Sequence, residues 1–274
     1  MRTRIYADLL AFARAACAHA SHAGPELPAL PFYVRQHIVG WLRPSFAGLL
    51  AQPDTPAGRT AALAGVAREL ARDGVVLGWR DEQVSIAERH GAPELLRVER
   101  ALSRHFGFMA YAAHMNAFTR IDGRTHVWIS RRSPSKAIDP DKLDNLVGGR
   151  IAAGMSVDET LRKESWEEAG IPPALLGDVN CVSAVRVEYS VPEGLHREIL
   201  FVHDLWLPAD FKPENQDGEV AEIRLVPVEE VIQEILAGTM TLDAGAVMID
   251  GLLRLGAVPP EDPQYLDLLR MLKP

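Results

Sequence analysis

The feature that most constrains this chain of 274 residues is a short helix-forming segment bounded by glycines. Gly148 and Gly149 form a turn in front of it. Ser156 is a suitable N-terminal cap, and Glu159, three residues later, completes a capping box. Gly170 is a residue type that commonly ends a helix in the left-handed conformation. The segment therefore predicts a helix between Ser156 and Gly170, with a turn on each side.

Three glutamates lie on one face of this predicted helix. Glu164, Glu167 and Glu168 occupy positions i, i+3 and i+4, so their side chains are neighbours. Like charges this close repel one another, which is tolerable on a solvated face or where divalent cations compensate them. An isolated pair of glutamates is usually only a solvated surface. Clustered carboxylate oxygens also suit Mg²⁺ or Mn²⁺, so both interpretations stay open on spacing alone.

The spacing from Gly149 onwards resembles the Nudix box, the signature of a family of pyrophosphohydrolases. That pattern places a glutamate and an Arg-Glu pair after a glycine, followed by Glu-Glu, another glycine and an apolar residue. The positions that match at the required spacing are Gly149, Glu164, Glu167, Glu168, Gly170 and Ile171. The resemblance implies a hydrolase that depends on Mg²⁺ (or Mn²⁺) and cuts a diphosphate linkage.

Three positions depart from the family pattern. Met155 stands where the pattern has its first glutamate, Lys163 where it has arginine, and Ser165 where it has an apolar residue. Lys163 keeps a positive charge but lacks the planar fork of arginine. Met155 removes one acidic group from the loop, which leaves the number of bound metal ions open.

The resemblance also implies roles for individual residues. The metal ligands would be Glu164, Glu167 and Glu168, together with the backbone carbonyl of Gly148 and an acidic residue of a later loop. We select Glu219 for that last position, although an exposed loop carboxylate is an equally good interpretation of it. Glu164, Glu168 or Glu219 could accept the proton of the attacking water, and the sequence does not choose among them.

A narrower resemblance extends over most of the chain. Outside the box, the chain is similar to a Nudix subfamily related to the Nudix portion of fungal thiamin pyrophosphokinase proteins, in residues 39–41, 128–136, 142–149, 246–254 and 265–266. This implies hydrolysis of thiamin diphosphate analogues, especially oxidised or oxo forms, to the monophosphate. Arg132 and Lys136, in the loop before the box, and Arg150 within it are the candidates for binding the diphosphate. For the loop cations, solvated side chains are an equally good interpretation.

Two other functions stay open. One is hydrolysis of a nucleoside diphosphate derivative, such as ADP-ribose or a dinucleotide, because the box residues contact the diphosphate and say little about the attached group. The other is a ligand-sensing Nudix domain without activity, which the substitutions at Met155 and Lys163 make conceivable. Four tryptophans are candidates for stacking on a ring, although core packing is the commoner role for each.

Hydrophobic periodicity predicts two domains. Residues 1–107 are expected to form a small α+β domain, and residues 108–274 the Nudix domain, an α/β/α sandwich around a mixed sheet. The predicted helices are 5–19, 58–73, 94–105, 156–170, 228–237, 243–255 and 263–272. The predicted strands are segments of 32–42, then 75–79, 110–120, 125–131, 181–189, 198–207 and 220–227, with an Asp122-Gly123 turn joining the hairpin.

Net charge and cysteine content limit the classes of binding partner and the cellular compartment that we expect for this chain. A net charge of −8 argues against binding along a nucleic-acid backbone, but leaves a small anionic diphosphate possible. No apolar stretch is long enough to predict a membrane span. Cys17 and Cys181 form no metal-ligand spacing and no disulfide framework, so we expect a cytoplasmic protein. The sequence gives no indication of the oligomeric state.

Overall fold

In the computed structural model of the protein, residues 2–17, 30–49 and 53–274 are described. The helices are α1 (Arg2–Cys17), α2 (Pro56–Arg72), α3 (Val157–Ala169), α4 (Pro173–Leu176), α5 (Val228–Leu236), α6 (Leu242–Arg254) and α7 (Tyr265–Leu272). The strands are β1 (Leu30–Val34), β2 (His37–Leu42), β3 (Gln83–Ile86), β4 (Leu96–Glu99), β5 (Ala110–Ile121), β6 (Arg124–Arg132), β7 (Leu143–Asn145), β8 (Val147–Arg150), β9 (Cys181–Val191), β10 (Gly194–Trp206) and β11 (Val220–Pro227). Short 3₁₀ turns cover Pro44–Leu49 and Arg100–Leu102.

The largest sheet is mixed and has seven strands. Its main path runs β11-β6-β5-β10-β9, with β7 paired to β6 and β8 paired to β5. Strands β5 and β10 are parallel, whereas the other paired neighbours in this sheet are antiparallel. Asp122 and Gly123, at φ angles of 47° and 76°, form the tight turn between β5 and β6. The predicted hairpin is therefore confirmed.

Helices cover both faces of this sheet. Side chains alternate along β5, so Ala112 belongs to one core and Ala113 to the other. On the first face the sheet packs with α1, α5, α6 and α7, and on the second with α3. The result is the α/β/α arrangement expected from the sequence. Helix α3 packs against β8, the strand that contains Gly148 and Gly149.

A separate core lies among residues 32–108. Strands β1 and β2 form one hairpin and β3 and β4 another, and α2 packs beside β4. Buried aromatic side chains such as Phe32, Phe106 and Phe108 belong to this core. We call residues 30–107 the N-terminal unit. Helix α1 instead packs in the core of the large sheet, and the division of the chain at residue 107 stays a prediction.

Three of the predicted features are wrong. The turn expected at Gly148 and Gly149 is instead part of strand β8, which pairs with β5. Residues 75–79 form no strand, because the N–H groups of Val75 and Val76 both bond to Leu70 O and finish helix α2. Most of 94–105 is not helical, since Leu96–Glu99 pairs with Gln83–Ile86 and only the short turn at Arg100–Leu102 follows it. The last two residues of the first predicted helix, 18 and 19, lie outside the described residues.

Candidate active site

Both ends of α3 are fixed by the residues that the sequence indicated. The hydroxyl of Ser156 accepts a hydrogen bond from Glu159 N–H at 3.2 Å, and the Glu159 carboxylate accepts one from Ser156 N–H at 2.8 Å. At the other end Gly170 has a φ of 61°, and its N–H bonds to Trp166 O at 2.9 Å. The capping box and glycine end are therefore confirmed, and they fix where the helix begins and ends.

The two glycines before α3 allow side chains to approach the backbone. A Cβ on Gly149 would lie 2.2 Å from Glu164 Cγ and 2.4 Å from Cδ, which no real Cβ can do. A Cβ on Gly148 would lie 2.8 Å from His114 Cε1. Glu164 therefore reaches its position because residue 149 has no side chain.

Glu168 is buried, so the three glutamates do not all lie on a solvated face, which was one of the two interpretations that their spacing left open. The residue is only 8% exposed, and its carboxylate accepts a hydrogen bond from Gly148 N–H at 2.8 Å. Burial and the nearby charge of Glu164 raise the pKa of Glu168 well above its usual range. Burial also raises the pKa of Glu164, against the opposing charge of Lys163. Negative charge is therefore undercompensated here, and this hard-oxygen donor set fits a divalent cation such as Mg²⁺.

Lys163 joins two of the three glutamates. Its Nζ lies 3.1 Å from Glu164 Oε1 and 2.6 Å from Glu167 Oε2. Both contacts are with carboxylates on the same helix, so the lysine neutralises part of their charge. The residue that replaces the family's arginine thus still orients the carboxylates, through a single ammonium group.

The Glu219 carboxylate contacts two cations from different parts of the chain, Lys136 in the loop before β7 and Arg80 in the N-terminal unit. The carboxylate accepts a hydrogen bond from Lys136 Nζ, and its Oε1 lies 2.9 Å from Arg80 Nη1. Although burial opposes the change, these two cations lower the pKa of Glu219 to about 2. The backbone carbonyl of Glu219 also accepts a bond from Ser133 N–H at 2.9 Å. Both oxygens of this carboxylate are therefore engaged.

Arg132 and Arg150 are both held by neighbouring residues. Arg132 Nη1 lies 2.7 Å from Asp144 Oδ2, and Arg132 also donates to the carbonyls of Ile138 at 2.9 Å and Asp139 at 3.1 Å. Arg150 Nε lies 3.0 Å from Glu198 Oε1, with both side chains buried. Each guanidinium therefore has a structural role, with Arg132 closing its loop and Arg150 crossing between two strands.

One cavity of about 350 Å³ brings these residues together. Seven of the eight predicted site residues line it, namely Arg132, Lys136, Gly148, Arg150, Glu164, Glu167 and Glu219. Glu168 is not among the lining residues and is bonded to Gly148 just behind them. Residues of the N-terminal unit also line the cavity, including Arg80, Arg100 and Arg104. These three arginines follow no local sequence pattern, and the sequence reasoning missed them.

A buried polar cluster lies in a smaller chamber that shares several lining residues with this cavity. His196 Nε2 lies 3.1 Å from Asp243 Oδ2 and 3.4 Å from Glu198 Oε2. Arg104 Nε donates to His196 Nδ1 at 3.1 Å, so Nε2 is the ring nitrogen that lies near the two carboxylates. A metal ion on Nε2 would place the ring proton on Nδ1, facing the Arg104 donor. The contact with Arg104 therefore argues against a metal ion on His196.

Comparison with known proteins shows that family models match two regions of this chain. A family model described as NUDIX domain matches residues 111–246, and one described as a domain of unknown function (DUF4743) matches residues 48–110. A protein of Arabidopsis thaliana named Nudix hydrolase 24, chloroplastic, is 36% identical over 264 residues, which cover 89% of this chain and 72% of the relative. Nudix hydrolase 20, chloroplastic, of the same plant is 34% identical with the same coverage.

A solved structure from Deinococcus radiodurans is 21% identical, with a TM-score of 0.45, and covers 62% of this chain and 98% of that one. Among the residues described, no helix combines the length and apolar character needed to cross a bilayer. Both plant relatives are named chloroplastic, and a cytoplasmic location for this chain stays a prediction.

Proposed function

This chain belongs to the Nudix family of pyrophosphohydrolases, and we propose that it uses Mg²⁺ or Mn²⁺ to hydrolyse the diphosphate linkage of thiamin diphosphate analogues. The proposed reaction type rests on one observation, the packing of β8 against α3. Gly149 admits the Glu164 side chain, and Gly148 N–H bonds to Glu168, so two carboxylates of α3 meet strand β8 beside the cavity.

Each charged group at the site has a distinct role in this proposal. Glu164, Glu167 and Glu168 would hold the divalent cation, which supplies charge neutralisation at the phosphates and a lower pKa for water. Lys163 keeps two of these carboxylates in place. Lys136 and Arg132 face the cavity from the loop that precedes the box and contribute positive charge where a diphosphate would lie.

The geometry narrows the choice of proton acceptor. Glu219 accepts from Arg80 with one oxygen and from Lys136 with the other, and these two cations lower its pKa to about 2, which makes it a weak base. Glu164 and Glu168 remain as candidates. We assign Glu219 instead to positioning Lys136 at the edge of the cavity.

The substrate proposal is supported by the resemblance of residues 128–149 and by the size of the cavity. A volume of about 350 Å³ is near the lower end for small-molecule pockets, roughly 300 to 1,000 Å³, and suits a diphosphate with one compact organic group better than a dinucleotide. The apolar side chains on its wall include Val75, Leu77 and Ile138. None of the four tryptophans considered for stacking, Trp41, Trp79, Trp128 and Trp166, is among its lining residues.

The reaction type is tested with two conservative variants. Glu164→Gln and Glu168→Gln should each lower turnover by roughly 10² or more, measured as phosphate or monophosphate release with Mg²⁺. Glu229→Gln, at an exposed position of helix α5, is the matched control and should retain full activity. Turnover near that of the wild type in both site variants would contradict the placement of the reaction. Metal-independent binding without turnover would favour the ligand-sensing alternative.

A substrate panel tests the finer proposal. We expect kcat/KM to be higher for native, oxidised and oxo thiamin diphosphates than for ADP-ribose, dinucleotides or nucleoside triphosphates at one Mg²⁺ concentration. A preference of about tenfold or more for any nucleotide, roughly 1.4 kcal/mol of discrimination, would contradict the thiamin proposal and leave the reaction type intact.

A further inference from the structure

Part of the cavity lining comes from the N-terminal unit, in a region matched by a model of unknown function. Arg80 belongs to the segment between α2 and β3, and Arg100 to the short turn after β4. The side chains of both line the same cavity as Glu164 and Glu167. The N-terminal unit therefore contributes charged groups to the place where the Nudix unit has its carboxylates.

Arg80 is held in place by its own segment. Its backbone N–H donates to Glu99 Oε1 at 3.2 Å, and the indole of the preceding Trp79 donates to Asp81 Oδ1 at 2.6 Å. Asp81 has a φ of 56°, a left-handed conformation that is uncommon outside glycine. The backbone is thus fixed on both sides of Arg80, and its side chain extends to Glu219, 139 positions further along the chain.

Arg100 stands near other positive charges. Its Nη1 lies 3.1 and 3.2 Å from the two oxygens of Glu82, while burial and the nearby Arg150 lower its pKa. Its charge also acts on Glu164. Guanidinium groups crowded at one wall repel one another, and a multivalent anion between them relieves that repulsion.

We propose that the N-terminal unit is the substrate-recognition half of the active site, in which Arg80 and Arg100 bind the diphosphate of an organic diphosphate. This inference rests on the proposed function and adds a role for a region to which none is assigned. Glu219 has two cationic partners, so Arg80 can move to a phosphate oxygen while Lys136 continues to neutralise the carboxylate. Arginine suits this exchange because its planar fork matches phosphate oxygens.

Apolar side chains beside these arginines provide a place for the organic group. Leu77 is 75% exposed and Val75 is 44% exposed, although both are large apolar residues and both line the cavity. Exposure of such side chains next to an anion-binding wall fits a ligand with a charged end and an apolar end. Leu77 is the more exposed of the two and is the better position for a substitution.

Binding of imidodiphosphate, a diphosphate that resists hydrolysis, tests the proposal without turnover. In calorimetry on the full chain with Mg²⁺, Arg80→Ala and Arg100→Ala should each weaken its binding at least about tenfold, the effect of losing a charge-assisted hydrogen bond. Arg80→Lys should fall between Arg80→Ala and the wild type. Arg72→Ala is the matched control, since Arg72 is exposed at the end of α2 and is not among the cavity residues. It should bind as the wild type does.

Leu77→Ser tests the binding of the organic group separately from the binding of the diphosphate. It should raise KM for the organic diphosphate severalfold and leave the affinity for imidodiphosphate unchanged. Circular dichroism and the melting temperature check that each variant is folded. Wild-type affinity for imidodiphosphate in folded Arg80→Ala and Arg100→Ala overturns the inference, even where the enzyme hydrolyses diphosphates. Absence of hydrolysis in the wild type overturns the proposed function instead, whatever the binding results.

Discussion

Gly149 and Glu164 are so close that a methyl group on residue 149 would lie 2.2 Å from Glu164 Cγ. Gly149→Ala therefore has to displace the glutamate side chain or separate β8 from α3. We expect turnover to fall by about 10², because a shift of about 1 Å in a reacting group has effects of that size. Steady-state kinetics with saturating Mg²⁺ measure it.

Gly65→Ala is the control for that substitution. Gly65 lies within α2, and a Cβ there would meet no atom within 4 Å among the described residues. Activity should be unchanged, and the free energy of unfolding should rise by about 0.5 to 1 kcal/mol because alanine favours the helix. Equal losses of activity in both variants would contradict a specific role for Gly149.

The sequence predicts those parts of the site that depend on residues close together in the chain, and it misses contacts between residues far apart in the chain. Glu164, Glu167 and Glu168 share a face because helical spacing is local, and Ser156 caps the helix for the same reason. The burial of Glu168 could not be predicted, since spacing places side chains on a face without saying what covers it. Arg80 was missed because its partner, Glu219, is 139 positions away in the chain.

The same distinction explains the errors in the fold. The apolar residues of 94–105 are compatible with a helix, and β4 forms there because β3 provides the partner strand. Pairing between strands is a tertiary contact that overrides local propensity. The hairpin of β5 and β6 was predicted correctly because Asp122 and Gly123 determine its turn locally.

Loss of one member of the buried Arg150 and Glu198 pair should destabilise the protein. Glu198→Gln leaves the Arg150 guanidinium without a charged partner in a buried position, so the free energy of unfolding should fall by about 3 kcal/mol. Urea denaturation measures the change. Asp158→Asn, which breaks an exposed pair with Arg162 on α3, should change the free energy of unfolding much less. Similar changes in the free energy of unfolding for the two variants would show that Arg150 needs no charged partner.

Acid should remove the stabilisation that Glu219 provides. Its pKa is about 2 in the folded protein against an ordinary value of 4.5, so the folded state favours the charged form. The contribution is complete above the ordinary value and is lost as the pH falls towards 2. The difference in unfolding free energy between the wild type and Glu219→Gln should therefore shrink over this interval, in urea titrations without metal. A difference that is constant with pH would contradict the pairing with Arg80 and Lys136.

Ser165→Ala should stabilise the protein. Ser165 is fully buried in α3, and within the described ranges its hydroxyl has no hydrogen-bond partner. Removing a buried, unpaired hydroxyl and adding a better helix former should raise the free energy of unfolding by about 1 kcal/mol. Ser156→Ala, at the cap of the same helix, should lower it by about 1 kcal/mol. Destabilisation by Ser165→Ala would mean that the hydroxyl has a partner such as water.

Helix α1 packs with α6 and α7 in the core of the large sheet, although it precedes the N-terminal unit in the chain. The chain enters that unit after α1 and leaves it into β5, so both ends of the unit are anchored in the same core. Such a unit is an insertion, which cannot rotate about a single linker. A fragment starting at residue 108 would lack α1 and expose the apolar surfaces of α6 and α7. Exchanging the unit between relatives to alter substrate preference would therefore require two junctions, one after α1 and one before β5.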